Sequence, residues 1–412
     1  MTKVALAFSG GLDTTVCVPL LKEEYGYDEV MAVTVDVGQP EAEFAEARET
    51  ADALGLEIHV VDATAEFASL CFDSVRANAT YQGYPLGTAL ARPVIAEAIL
   101  DVAEAQDCDA IAHGCTGKGN DQLRFETVWR GSDLEVVAPV RELGLTREWE
   151  VEYAAERDLP VEAGNEGTWS IDTNLWSRSV EGGDLEDPSH VPSEDIYEWT
   201  ETPSGGEELV DIEFEDGYPV GLNGDHLDPV DLIEELNALA GAHGVGRTDM
   251  LEDRMLGLKV RENYEHPAAT VLLTAHEALE QLVFTKTERD FKPQIDQQWA
   301  EQAYRGLVFS PLTESLNGYL DASQEKVTGT VTVKLQGGGV RPVARESEYG
   351  VYSENAASFN TETVNGIEQA DATGVAKYHG FQERLANQVK EQAEKENEDE
   401  KEKTTLSTDG GE

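Results

Sequence analysis

Short apolar runs alternate with longer stretches of helical spacing over the first part of the chain. Lys3–Phe8 (KVALAF) is an apolar run that ends in Ser-Gly-Gly, and a helix pattern follows from Thr14 to Tyr25. Glu29–Val35 and Glu57–Val61 read as strands, with the acidic, Ala-rich stretch Glu41–Leu54 as a helix between them. Helical spacing returns over Thr64–Asn78 and Ala89–Gln106, and Cys108–Ala112 (CDAIA) is a strand that runs into a second Gly-rich loop. Strands alternating with helices predict a parallel sheet with helices on both faces.

The pattern changes near Pro160–Gly167. A loop-rich stretch, Asp184–Gly206, is followed by Glu208–Phe214 and Tyr218–Leu222, which read as a hairpin turning at Asp216-Gly217. Helices are expected at Pro229–Ala242, Ala268–Phe284 and Gln294–Tyr304, and two antiparallel strands, Lys326–Leu335 and Val340–Glu348, around a Gly triplet. The expected organisation is an α/β nucleotide-binding domain over 1–165 and an α+β domain over 166–373. A last helix, 374–394, then leads into a disordered acidic tail, 395–412.

Charge narrows the functions open to this fold. Asp plus Glu number 82 against 30 Lys plus Arg, a net charge of −52 spread along the 412 residues. Such a surface repels nucleic acid phosphates and anionic lipid. It also opposes its own compaction unless salt screens it, so a salt-rich cytoplasm is the expected setting. The 40% of hydrophobic residues argues against general disorder. Four scattered cysteines, Cys17, Cys71, Cys108 and Cys115, form no metal-binding spacing and fit a reducing compartment. No run is long enough to cross a bilayer and no signal peptide is evident, so the expected location is cytoplasmic.

Chemistry concentrates in two loops. Phe8-Ser-Gly-Gly-Leu-Asp-Thr-Thr15 lies between the first strand and the first helix. Adjacent glycines let backbone approach a ligand, and the N–H groups and dipole of a helix start favour an anion. Ser9, Thr14 and Thr15 add hydroxyls, so the loop suits a phosphate chain, and it is not a Walker loop. Taken alone, it fits a plain turn before a capped helix equally well. The second loop, His113-Gly-Cys-Thr-Gly-Lys-Gly-Asn-Asp-Gln-Leu-Arg-Phe125, gathers three glycines, a hydroxyl, an amide and charges of both signs. It suits a zwitterion beside a phosphate, with Lys118 and Arg124 for carboxylates and Asp121 for an amine. Cys115 sits there near Lys118, and its thiol is expected to be reactive.

Ser9-Gly-Gly-Leu-Asp-Thr14 resembles the PP-loop of ATP-pyrophosphatases, which split ATP to AMP and pyrophosphate. The string Gly114-x-Thr-Gly-Lys-Gly-Asn-Asp-x-x-Arg-Phe125 is similar to the second signature of the argininosuccinate synthases. Further collinear matches include Tyr84-Pro-Leu-Gly-Thr88, Leu90-Ala-Arg-Pro93, Trp169-Ser170, Asp172, Asn174, Glu252-Asp-Arg254 and Tyr264-Glu265. The resemblance implies a PP-loop domain followed by a synthetase domain. It also implies ligation of citrulline and aspartate to argininosuccinate, with AMP and pyrophosphate released, through a citrullyl-adenylate. Ala7, Phe8, Ser9, Gly10, Gly11, Leu12, Asp13, Thr14, Thr15, Val35 and Gly114 would contact ATP. Thr116, Asn120 and Asp121 would hold aspartate. Tyr84, Asn120, Arg124, Ser170, Ser179, Glu252 and Tyr264 would hold citrulline. Asp13 and Asp121 are the candidate catalytic groups, and magnesium would ride on the ATP phosphates with no protein-only metal site. The resemblance and the C-terminal helix suggest a homotetramer, with no nucleic acid or membrane partner. Two departures stand out: Ala89 where the family often has serine, and His266-Pro267 after Tyr264-Glu265. Rival readings are another PP-loop synthetase, a tRNA thiolase, which the acidic charge opposes, and a nucleotide sensor without turnover.

Overall fold

The computed structural model describes residues 1–161, 169–203, 205–358, 363–364 and 366–408. Lys3–Ala7, Glu29–Asp36, Glu57–Asp62, Ala110–Ala112 and Glu135–Val137 form one parallel sheet. Its order is 57–62, 29–36, 3–7, 110–112, 135–137. Lys3–Ala7 and Glu29–Asp36 are mainly apolar and buried along their middles, with charged residues only at their ends, as expected of a sheet covered on both faces. Connections run to opposite sides of Lys3–Ala7, so the strand order reverses between it and Ala110–Ala112. Ligands bind at such a switch point, outside the carboxyl ends of the strands. Both Gly-rich loops leave the sheet at those two ends.

The second half contributes two antiparallel sheets. One has the order 225–226, 218–222, 207–215, 329–336, 339–346 and packs its apolar face on the helix Pro267–Val283. Its expected hairpin turns at Asp216-Gly217, both at positive φ (51° and 81°), the backbone of a tight hairpin turn. The other sheet, ordered 247–253, 259–265, 178–181, 170–173, stands against the switch point. A seam joins the halves: the Leu175 N–H donates to the Val37 carbonyl at 2.8 Å, and Gly38 (φ +91°) lies so close that a Cβ there would meet Leu175 at 2.6 Å.

Residues Met1–Val351 form one compact unit and Tyr352–Glu412 another; the boundary expected at 165/166 falls outside the described residues. Two other expectations change. The helix expected from Gln294 begins at Lys286, because a capping box, Thr285 with Glu288, starts it two turns before Pro293. The last helix runs Phe381–Thr408, carrying through residues 395–408 where a disordered tail was expected. Its Glu, Lys and Gln residues are good helix formers, and Lys390 pairs with Glu394 one turn on. Among the described residues, no helix is long and apolar enough to cross a membrane.

Candidate active site

A cleft of about 700 Å³ opens at the switch point, lined by both Gly-rich loops and by the 170–265 sheet. The first loop forms its floor. The Phe8 N–H donates to the Val33 carbonyl, which holds the loop on the sheet. The Ser9 and Thr14 hydroxyls lie 3.2 Å apart, and Thr14 also donates to the Gly11 carbonyl. Ala7, Phe8, Ser9, Gly11, Leu12, Asp13, Thr14 and Val35 all line the cleft. Gly10 and Thr15 do not: Gly10 packs against Ala47, and the buried Thr15 hydroxyl donates back to the Gly10 carbonyl. These two shape the loop from behind.

The second loop meets the first at Gly114, where a Cβ would lie 3.2 Å from the Asp13 carbonyl carbon. The buried His113 accepts from the Cys115 N–H at 3.1 Å and faces Glu126 at 3.3 Å. Hydrogen bonding to His113, helped by Arg130 and Arg141, holds the Glu126 carboxyl down at about 2. Asp121 begins the helix Asp121–Trp129, its oxygens shared between Arg124 (3.0 Å) and Arg92 (2.8 Å). Burial pushes its carboxyl up, but the two guanidiniums outweigh that and keep it below its usual range. Thr116 and Asn120 line the same region. Lys118 is exposed and lies outside the lining. The expectation for Cys115 is overturned: burial, with Asp121 close, pushes its thiol up to about 12, so it is not thiolate-prone.

The far wall is built of side chains. Glu252 is buried and accepts hydrogen bonds from the hydroxyls of Tyr84 (2.5 Å), Tyr264 (3.0 Å) and Tyr304 (2.6 Å). Tyr84 and Tyr264 stack with centroids 4.5 Å apart, and burial raises both phenols far above their usual range. Tyr304 accepts from the Asn120 amide at 2.9 Å, and its carbonyl accepts from Arg124 Nε at 3.1 Å. The wall is therefore tied directly to the second loop. Ser170 and Ser179 line it from the neighbouring strands. Arg254 holds Glu181 (2.5 Å) and Glu262 (2.8 Å) beside it.

Sequence reasoning assigned no role to Tyr304, Arg92, Arg254 or Glu150. Arg92 and Arg254 stood inside matched strings, which was their only signal. Tyr304 and Glu150 had none: Tyr304 ends a helix read as plain packing, and the helix Arg147–Glu156 that carries Glu150 was not read at all. Glu150, on the helix Arg147–Glu156, is buried and hydrogen-bonded to Asp13, and burial beside that carboxylate pushes its carboxyl up to about 8.

A parallel sheet with a phosphate-type loop at its switch point, opposed by an amino-acid-type wall, defines a nucleotide-dependent synthetase of the PP-loop class. Residues 3–160 match the model of the arginosuccinate synthase N-terminal HUP domain, and residues 169–386 that of the arginosuccinate synthase C-terminal domain. An argininosuccinate synthase of Halobacterium salinarum is 76% identical over 93% of this chain and 97% of its own. Those of Haloarcula marismortui and Natronomonas pharaonis are 72% and 71% identical, covering 95% and 96% of this chain and 94% and 99% of theirs. The chain belongs to the argininosuccinate synthase family, ATP-dependent ligases of arginine biosynthesis.

Proposed function

We propose that the cleft joins citrulline to aspartate in two steps. The ureido oxygen of citrulline attacks the α-phosphorus of ATP and pyrophosphate leaves; the aspartate amine then attacks the citrullyl-adenylate, giving argininosuccinate and AMP. The observation that carries this reading is the convergence of a phosphate cradle, a zwitterion loop and a tyrosine–glutamate wall on one cleft. A ureido oxygen is a weak nucleophile, so the residues act mainly by positioning and charge compensation. Loop residues 7–9 and 11–14, with Val35 and Gly114, seat ATP, and Gly10 and Thr15 hold the loop in shape from behind. Thr116, Asn120 and Asp121 seat aspartate. Tyr84, Asn120, Arg124, Ser170, Ser179, Glu252 and Tyr264 seat citrulline. Among the described residues no three His, Cys, Asp or Glu side chains converge to hold an ion alone. Magnesium would ride on the ATP phosphates, where it would neutralise charge on the leaving pyrophosphate.

The protein with MgATP, citrulline and aspartate should release AMP, pyrophosphate and argininosuccinate in equal amounts. Formation of ADP, or equal ATP turnover without citrulline, would overturn the reading. We place the enzyme in the cytoplasm as a homotetramer. Phe381, Leu385 and Val389, exposed at one-turn spacing on the last helix, support self-association. Light scattering in molar KCl measures it, and a monomer would contradict it.

A further inference from the structure

Aspartate brings two carboxylates and one ammonium, yet the residues proposed above for it, Thr116, Asn120 and Asp121, include no cation. Four guanidiniums line the cleft: those of Arg92, Arg124, Arg147 and Arg254. Arg147 lies toward the phosphate loop, 3.8 Å from Asp13. Arg254 is held between Glu181 and Glu262 on the far wall. Arg124 is anchored to the Tyr304 carbonyl and belongs to the citrulline seat. Arg92 remains, on the helix Thr88–Ala105, beside the aspartate loop.

The geometry around Arg92 points the same way. Its Nε donates to Asp121 at 2.8 Å and its Nη2 to Asp172 at 2.7 Å, and Asp172 also accepts from the Thr88 hydroxyl at 2.8 Å. These contacts fix the plane of the guanidinium from one side. Its other terminal nitrogen, Nη1, has no acceptor among the described residues, while the side chain lines the cleft and is a fifth exposed. A planar fork held by second carboxylates, with one edge open, is suited to a substrate carboxylate. The ammonium and α-carboxylate of an amino acid are one carbon apart. A substrate whose ammonium rests on Asp121 therefore presents that carboxylate to the neighbouring Arg92.

Resting on the proposed function, we infer that Arg92 binds the α-carboxylate of the aspartate substrate and so orients its amine for the second step. Asp172 is then a positioning residue that orients the fork and joins the two halves of the protein.

The test compares Arg92→Lys with Asp172→Asn, each assayed in molar KCl for the full reaction and for citrulline-dependent exchange of pyrophosphate into ATP, which needs no aspartate. Arg92→Lys keeps the charge and loses the fork. Its KM for aspartate should rise about tenfold or more, the scale of a lost charge-assisted contact, while the KM for citrulline in the exchange moves far less. Asp172→Asn removes only the partly exposed Arg92–Asp172 ion pair and leaves Arg92 with its Asp121 contact in place. It should raise the aspartate KM in the same direction as Arg92→Lys but by a smaller factor, because the fork keeps its charge and its Asp121 contact, and it should leave the citrulline KM in the exchange near the wild type. If both variants raise all KM values alike, Arg92 is only a latch and the inference fails. It fails equally if the Arg92→Lys aspartate KM stays within twofold of the wild type. Absence of exchange in the unaltered protein would instead overturn the adenylate reading, and the inference with it.

Discussion

The floor of the cleft and its far wall are built in opposite ways. Ser9 to Thr14 are neighbours in sequence and act largely through backbone, needing only a strand end, two glycines and a helix start. The far wall assembles Tyr84, Asn120, Arg124, Glu252, Tyr264 and Tyr304 from separate elements, and it acts through side-chain hydrogen bonds centred on one glutamate. A backbone site is sensitive to chain geometry and indifferent to most side chains. A side-chain site depends on single functional groups held by distant packing.

That contrast predicts the largest effect at Gly10. Its φ is +82°, and a Cβ added there would lie 2.9 Å from the Ala47 Cα, which leaves no room for alanine. Strain of about 1–3 kcal/mol at such a position corresponds to roughly tenfold to hundredfold in rate, before any displacement of the loop is added. Gly10→Ala should therefore cut AMP formation about a hundredfold and raise the KM for ATP. A variant with an ATP KM within twofold of the wild type would break the comparison.

Glu252→Gln tests the opposite wall. A glutamine has one acceptor oxygen for three tyrosine hydroxyls, so at least one buried hydroxyl loses its partner, at about 1–3 kcal/mol. The KM for citrulline should rise roughly tenfold or more while the KM for ATP stays put. Equal shifts in both would mean that the two walls are not independent.

A smaller effect is expected beneath the floor. The Glu150 carboxyl, pushed up to about 8 by burial and by Asp13, keeps a proton in the fold that the unfolded chain releases near its ordinary value of 4.5. The folded state binds more protons between those values, so this group makes stability fall as pH rises through that window. Glu150→Gln removes the slope. Melting temperatures of variant and wild type should diverge by a few degrees from pH 5 to pH 8, in favour of the variant. A constant difference would contradict the assigned protonation.

Salt discriminates the two walls least, because the −52 charge surrounds both. The Debye length falls from about 10 Å at 0.1 M to about 3 Å at 1 M. The melting temperature should rise across that range of KCl, and a flat or falling one would refute the salt-adapted reading.

The same contrast explains what was legible in the sequence. Four strands of the parallel sheet were readable from short, mainly apolar runs, while the three-residue Glu135–Val137 was missed; the floor was readable because its residues are contiguous. The wall strands Arg247–Asp253 and Lys259–Glu265 carry charges on the face that lines the cleft, so they lack the apolar alternation that marks a strand. They were missed as strands, and only collinear resemblance brought Glu252 and Tyr264 into view. Tyr304 shows the limit: it completes the glutamate's hydrogen bonds from a helix far along the chain, and no local pattern announces it. The continuation of the last helix past Glu394 was hidden for another reason, since its charged residues suit a solvated helix and a disordered tail alike.

The central claim is that the floor receives pyrophosphate while the far wall presents the citrulline ureido oxygen to the α-phosphorus. Citrulline labelled with ¹⁸O in the ureido group tests it directly, by mass spectrometry of the products of one turnover. The account predicts the label in AMP, one ¹⁸O per argininosuccinate formed. Label in inorganic phosphate, or unlabelled AMP, would contradict it.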